Sequence, residues 1–176
     1  MSDLLSSGEF EELVRHCKRS VFRIETRGVY AEPDEHEPLR RFLVGEEPDD
    51  AWLGPWLDAV ENATGRGCQV QRVLMLTEPI SDYLRFELDL ALRQRIPAGE
   101  RVRVISRLES LGFGIPEDVD FWMFDDEAVG LVHFQEGRTH GVELVTDPRK
   151  VERYAKWRDK AWELSLGHDE WEGLLR

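Results

Sequence analysis

The sequence predicts a single α/β domain spanning residues 1–176, a mixed β-sheet with helices on both faces. Three observations carry this reading. The first is the run Asp-Phe-Trp-Met-Phe-Asp-Asp-Glu-Ala-Val-Gly-Leu-Val-His-Phe at 120–134, two apolar strands joined by an acidic turn. Apolar residues occupy both parities of each half: Phe121 and Met123 against Trp122 and Phe124, then Val129 and Leu131 against Val132 and Phe134. Strand side chains alternate between faces, so such a hairpin must be covered on both sides. The second is the order of patterns, helix and strand alternating before residue 107 and three strands in succession after 119. Alternation requires crossover helices and parallel pairing, whereas short turns give antiparallel pairing. The third is size: 176 residues, 41% hydrophobic and 34% charged, suit one soluble domain with a real core.

The elements follow in order. Ser6-Ser-Gly-Glu9 has capping-box spacing, and Phe10, Leu13, Val14 and Cys17 then recur at helical intervals. Residues 21–27 alternate as a strand, Phe22, Ile24 and Thr26 on one side and Arg23, Glu25 and Arg27 on the other. Pro38 opens and Gly45 closes a short helix. Asp49 or Asp50 caps a longer one, with Trp52, Leu53, Trp56, Leu57, Val60 and Ala63 as its apolar stripe. Residues 68–77 form a nearly continuous apolar strand that Glu78-Pro79 stops. Ser81 or Asp82 caps a helix reaching about Arg95, with Leu84, Leu88, Ala91 and Leu92 on one face. Residues 101–107 alternate as a strand, and 108–119 read as a connection. After the 120–134 hairpin, a polar turn leads to a third strand at 141–146. Asp147-Pro148 is a cap and first helical position for a final helix, interrupted at Gly167.

Composition narrows the function classes. A formal net charge of −13 repels phosphate backbones and anionic membranes, so direct nucleic-acid binding is disfavoured. Much of the acidity lies in 31–50, where Glu32, Asp34, Glu35, Glu37, Glu46, Glu47, Asp49 and Asp50 face only Arg40 and Arg41. That segment suits a basic protein partner, and it also suits plain solvation. The cysteines, Cys17 and Cys68, form no CxxC pair and have no histidine at zinc-ligand spacing. Two reduced thiols in a reducing compartment are expected. The opening Met1-Ser-Asp-Leu-Leu-Ser-Ser lacks the basic start and apolar run of a leader, and no stretch approaches membrane-spanning length. A cytoplasmic protein is expected.

Candidate chemistry is sparse. GxGxxG after a strand, the Walker lysine loop, GxSxG and HExxH are all absent. No cofactor is expected. Asp125-Asp126-Glu127 can offer oxygens to a divalent cation, but Asp-Asp between two strands is also ordinary turn chemistry, and no metal site is assigned. His133, set among apolar residues, is the best single acid–base candidate, with a hydrogen-bonded core histidine as the plainer alternative. Asp125 or Glu87 would orient it, and Arg85 or Arg23 would hold an anion.

Ser81-Asp-Tyr-Leu-Arg-Phe-Glu87 lies at a strand-to-helix junction, where α/β sheets often place binding crevices. Asp82, Tyr83 and Arg85 are candidate ligand contacts there, and Tyr83 and Glu87, four apart, can face one cleft. The stripe Arg23, Glu25, Arg27, with Tyr30 at its end, forms either one wall of a polar groove or a solvent-facing charge ladder. The six tryptophans, Trp122 among them, suit packing over a sheet or lining a groove. The final helix carries six basic residues from Arg149 to Lys160, with Arg158 four residues from both Tyr154 and Trp162. Arg158 there can meet a ligand or an acidic partner, or simply cover apolar surface.

Six segments together resemble an uncharacterised family: Leu-Leu-Ser-Ser-Gly-Glu-Phe at 4–10, Phe-Arg-Ile-Glu-Thr-Arg at 22–27, Ser-Asp-Tyr-Leu-Arg-Phe-Glu at 81–87, Asp-Phe-Trp-Met-Phe-Asp at 120–125, Glu-Leu-Val-Thr-Asp-Pro at 143–148 and Arg-Asp-Lys-Ala-Trp at 158–162. The family is a domain of unknown function found in Streptomyces and other actinobacteria, often encoded beside helix-turn-helix regulators. The resemblance implies a regulatory role accessory to such a regulator, and the leading expectation is a non-enzymatic regulatory or binding module, with the tryptophans and the 81–87 junction permitting a small-ligand pocket. A fainter resemblance is to phospholipase D-like domains, which place a catalytic histidine and lysine on a late hairpin. Here Phe134 and Gln135 follow His133, so the HxK part of that motif is missing. The alternative function is an enzyme acting on a phosphate ester or small metabolite, with His133 as the acid–base group.

Overall fold

The computed structural model describes residues 4–175, with side chains described for 4–173. Residues 1–3, part of the stretch read for a leader, lie outside it. Seven strands form one sheet: β1 (Leu4–Leu5), β2 (Ser20–Glu25), β3 (Gln69–Leu76), β4 (Arg101–Ser106), β5 (Phe121–Phe124), β6 (Ala128–Gln135) and β7 (Arg138–Val145). Their order is β1-β7-β6-β5-β2-β3-β4. The trio β2-β3-β4 is parallel, and every pairing from β2 outward to β1 is antiparallel. The α/β class and mixed sheet expected from the sequence are therefore present. The hairpin β5–β6 is central, with Val21 opposite Phe124 and Phe121 opposite Leu131.

Among the described residues seven α-helices accompany the sheet: α1 (Ser7–Arg15), α2 (His36–Leu43), α3 (Gly54–Gly65), α4 (Asp82–Leu90, continued by a π-turn, Ala91–Arg95), α5 (Arg107–Gly112), α6 (Pro148–Leu164) and α7 (His168–Trp171). Local chemistry sets their ends. Ser6 and Glu9 complete a reciprocal capping box on α1. Ser81 rather than Asp82 caps α4, its hydroxyl accepting from the Leu84 amide at 3.1 Å. Asp147 caps α6 through the amides of Arg149 and Lys150, with Pro148 next. Two elements escaped the sequence reading. The two-residue β1 is too short to show a pattern, and α5 occupies part of the expected connection because the Ser106 hydroxyl accepts from the Glu109 amide at 3.2 Å.

The two faces bury different material. One packs Phe22, Ile24, Val73, Met75, Ile105, Phe121, Met123 and Val129 under α6, whose Tyr154, Trp157 and Trp162 cover them. The other packs Val21, Val70 and Phe124 against α1 and α3, and Leu74, Val102 and Val104 against α4 and Trp171. Burial of this kind contributes about 25 cal/mol per Å² of apolar area.

The cysteine reading is corrected here: Cys17 and Cys68 form a disulfide. Parallel pairing sets the entries of β2 and β3 side by side, the Arg19 carbonyl accepting from the Gln69 amide at 2.8 Å. The two Cα atoms stand 6.5 Å apart across a separation of 51 residues, so chain spacing could not reveal the pair. The bond also removes the thiol argument for a reducing compartment. Among the described residues, no helix is long and apolar enough to cross a membrane.

Candidate functional site: a charged cavity beneath three helices

β2 and β3 place Arg23, Glu25 and Arg72 on the face that α1, α3 and α4 cover. Strand parity dictates this, because Arg23 and Glu25 share a side with Val21, and Arg72 shares one with Val70 and Leu74. The helices stand off these side chains and leave a cavity of about 630 Å³. Its floor is Arg23, Arg72, Trp122, Val132 and Val142. Phe10 comes from α1, Trp56 and Ala59 from α3, and Tyr83 and Glu87 from α4. Arg95 and the segment carrying Tyr30, Glu32 and Glu35 complete the wall. The volume falls in the range of small-molecule sites.

Buried charges are paired across this floor. Arg23 Nη2 donates to Asp120 at 2.9 Å, and Arg23 Nε lies 3.6 Å from Glu25. Arg72 binds Glu25 through Nη1 and donates to Glu100 through Nε at 2.5 Å. Arg95 Nη1 donates to Glu87 at 2.6 Å. Asp120 also accepts from the Thr26 amide and hydroxyl, at 2.9 and 2.6 Å, and from the Tyr30 hydroxyl at 2.6 Å. The Trp56 indole donates to Glu100 at 3.0 Å. Such pairing is what makes buried charge tolerable.

Protonation follows from these contacts. Burial pushes the Glu25 carboxyl up, but Arg72, Arg23 and Arg95 outweigh it and hold the group below its ordinary value. Glu35 has no such arginine partner; burial first, and then the Glu87 charge, push it up to about 8. Burial also raises Glu87, against the opposing pull of Arg95. Tyr83 and Tyr30 are raised, by burial and then by the charges of Glu87 and Glu25 respectively, so both stay neutral hydroxyl donors. Four polar atoms of the cavity residues are buried without a partner: Arg23 Nη1, Trp52 Nε1, Arg95 Nε and Glu87 Oε1.

Aromatic rings supply the rest of the lining. The Trp122 ring centroid lies 5.0 Å from that of Phe10 and 5.3 Å from that of Trp56. The Arg23 guanidinium sits 5.2 Å from the centroid of the same indole.

Of the residues singled out from sequence, Arg23, Glu25, Tyr83, Glu87 and Trp122 meet in this cavity. The stripe of β2 is thus not a solvent-facing ladder at Arg23 and Glu25, which are 6% and 8% exposed. Arg27 lies beside the cavity, half-buried, its guanidinium 4.1 Å from the Phe134 ring centroid. Asp82 and Arg85 point to solvent from α4 and do not line it. Arg158 sits on α6, across the sheet, where it binds Asp126 and Asp159 and lies 3.3 Å from the Met123 sulfur.

The proposed acid–base trio is not assembled. His133 shares the α6 face of β6 with Leu131, its side chain is 47% exposed, and its Nε2 stands 2.9 Å from Glu143. It is therefore neither a buried core histidine nor a neighbour of Glu87. Asp125 occupies the β5–β6 turn with φ 53°, where its carboxylate accepts from the amides of Lys18, Arg19 and Ser20. Glu127 there pairs with Arg19. Among the described residues, no group of three or more His, Cys, Asp or Glu side chains is arranged to hold a metal ion.

Glu35, Arg72, Arg95, Asp120 and Trp56 complete the site and were not recognised from sequence. One signal was available for Arg72: a charged residue on the inward parity of a nearly continuous apolar strand must find a buried partner. Glu35 offered none, because its acidic neighbours in 31–50 read as solvated surface.

A family model described as "Domain of unknown function (DUF6879)" matches residues 8–173. No curated protein matches the chain. Among solved structures, one titled "Structure of TrmBL2, an archaeal chromatin protein, shows a novel mode of DNA binding." is similar at 13% identity, covering 90% of this chain with a TM-score of 0.48. This chain spans 49% of that one, about half its length.

Proposed function

The chain belongs to the DUF6879 family, and we propose that this protein is a non-enzymatic binding module that holds a small ligand in the cavity beneath α1, α3 and α4. One observation carries the reading: a floor of buried, mutually paired guanidinium and carboxylate groups meets aromatic rings in a cavity of about 630 Å³. A core built only for stability would fill that volume with aliphatic side chains, since burying ion pairs brings little net gain. Convergent polar groups in an apolar-walled pocket are the usual form of a ligand site. The separation of His133, Asp125 and Glu87 supports binding over the alternative of an enzyme acting on a phosphate ester.

The test is thermal denaturation across a library of small metabolites, using the natural protein and Ala59→Phe, which plugs the cavity from α3. At least one compound should raise the midpoint of the natural protein and leave the plugged variant unmoved. A library without any such compound removes the reading.

A regulatory role fits the outer surface. α2 packs Phe42 against Phe86 of α4, the helix that contributes Tyr83 and Glu87 to the cavity. On its outside, Asp34, Glu37, Glu46, Glu47 and Asp49 are exposed around the exposed apolar Leu43 and Val44. In this reading the module is a cytoplasmic actinobacterial protein accessory to a helix-turn-helix regulator, and ligand occupancy biases α2 toward or away from that basic partner. Capture of a neighbouring regulator should weaken steeply with salt. Capture that ignores salt would discard this surface.

A further inference from the structure

The cavity network holds more carboxyls than guanidinium groups. Its arginines are three, Arg23, Arg72 and Arg95, and each is already bound to at least one carboxylate. The buried acids in the same network are five: Glu25, Glu35, Glu87, Glu100 and Asp120. Matching one acid to each guanidinium leaves two carboxyls without a cation, and because burial holds Glu35 largely protonated near neutral pH, a cation bound beside it would draw off that proton. The deficit lies at the α4 side, where Glu35 has only the Tyr83 hydroxyl, at 2.5 Å. A second and independent observation lies next to it. Glu87 is 1% exposed, and its Oε1 has no hydrogen-bond partner although its Oε2 is held by Arg95. A buried carboxylate oxygen left open beside a cavity wants a donor, and a charged donor satisfies it best. Trp56 and Trp122 line the same cavity, with the Arg72 guanidinium 5.7 Å from each ring centroid and Arg23 5.2 Å from that of Trp122, so these rings offer apolar surface to the body of a ligand.

We infer that the cavity takes an organic cation, a protonated amine on an apolar or aromatic body, with the ammonium at Glu35 and Glu87 and the body against Phe10, Trp56 and Trp122. This rests on the binding-module reading. An anionic ligand is disfavoured because every guanidinium is already neutralised and a further negative charge would enter a site in acidic excess. The open nitrogens Arg23 Nη1 and Arg95 Nε suit a hydroxyl or ether oxygen on the same ligand.

The experiment uses matched probes on the full chain at pH 7: primary amines, alcohols and carboxylates built on phenylpropyl, indolylethyl and cyclohexylethyl bodies. Binding is read by tryptophan fluorescence and by the thermal midpoint. The amines should bind about tenfold or more tighter than the alcohols, and the carboxylates most weakly. Glu35→Gln, which keeps an acceptor for Tyr83, should bring the amines to within about threefold of the alcohols. Should Glu87→Gln fail to fold because Arg95 loses its partner, Glu35→Gln alone decides. Carboxylates or alcohols binding best, blocked by Ala59→Phe, would overturn the cation and leave the binding module standing. Amine binding indifferent to Glu35→Gln would overturn it likewise. No response from any probe class, or an equal response in Ala59→Phe, would take down both.

Discussion

The Tyr83 hydroxyl donates to the Glu35 carboxylate at 2.5 Å inside the cavity wall, joining α4 to the acidic segment ahead of α2. The bond brings a surface-looking glutamate into the interior.

Stability should therefore fall as pH rises through the neutral range. The Glu35 carboxyl moves from 4.5 to about 8 on folding. It is faced by Tyr83 and Glu87 from α4, Arg95 from the turn after α4, and Glu25 from β2. A raised carboxyl contributes stability that is complete below its unfolded value and is lost as pH climbs through the folded one. Each unit is worth about 1.4 kcal/mol, and relaxation with water entry should trim the loss between pH 5 and 8 to about 2 kcal/mol. Urea denaturation at several pH values should show this decline in the natural protein and a flatter profile in Glu35→Gln. Equal slopes would mean that Glu35 ionises freely.

Asp120 should be the most costly carboxylate to remove. It gathers donors from Arg23, Thr26 and Tyr30 while being 1% exposed. Asp120→Ala should cost about 3–5 kcal/mol by leaving a buried guanidinium underpaired. Tyr30→Phe, which loses one hydrogen bond, should cost about 1 kcal/mol. Chemical denaturation of the two variants gives the comparison, and the reverse ranking would contradict the network.

The Cys17–Cys68 bond closes a loop of 51 residues and should contribute about 3–4 kcal/mol by restricting the unfolded chain. The double variant Cys17→Ala with Cys68→Ala should lose that amount against oxidised protein and show no further response to dithiothreitol. A natural protein equally stable with and without reductant would show that the bond contributes nothing.

The β5–β6 turn gives a graded prediction. Asp125 combines φ 53° with a carboxylate bound by three backbone amides. Burial pushes that carboxyl up, but the amides of Lys18, Ser20 and Arg19 outweigh it and lower it. Its contribution is thus present above the ordinary carboxylate range and lost as pH falls through the depressed value. Asp125→Asn should be mildest, Asp125→Gly intermediate, and Asp125→Ala worst at about 2 kcal/mol, since alanine lacks both the acceptor and tolerance for positive φ. Thermal midpoints at pH 7 would establish the order.

Much of the scaffold was legible locally. The double-sided apolar pattern at 121–134 identified the sheet centre, and Asp147-Pro148 marked the start of α6. The site was legible only in fragments. Tyr83 and Glu87 stood out because i and i+4 share a helix face, whereas Arg23 and Glu25 had the same alternation whether they faced water or a roofed cavity. His133 shows the converse: apolar neighbours in sequence suggested burial, yet its position near the end of β6 leaves it beside Glu143 and water.

The chain alone determined periodicity, caps and turns, because these depend on residues within one or two turns of each other. The tertiary structure decided which polar residues are interior and who partners whom: Glu35 with Tyr83, Arg72 with Glu100, Cys17 with Cys68. Those pairings join positions 48, 28 and 51 residues apart. They exist only because strand order and helix stand-off place them together, and no local pattern encodes a gap between two packed layers.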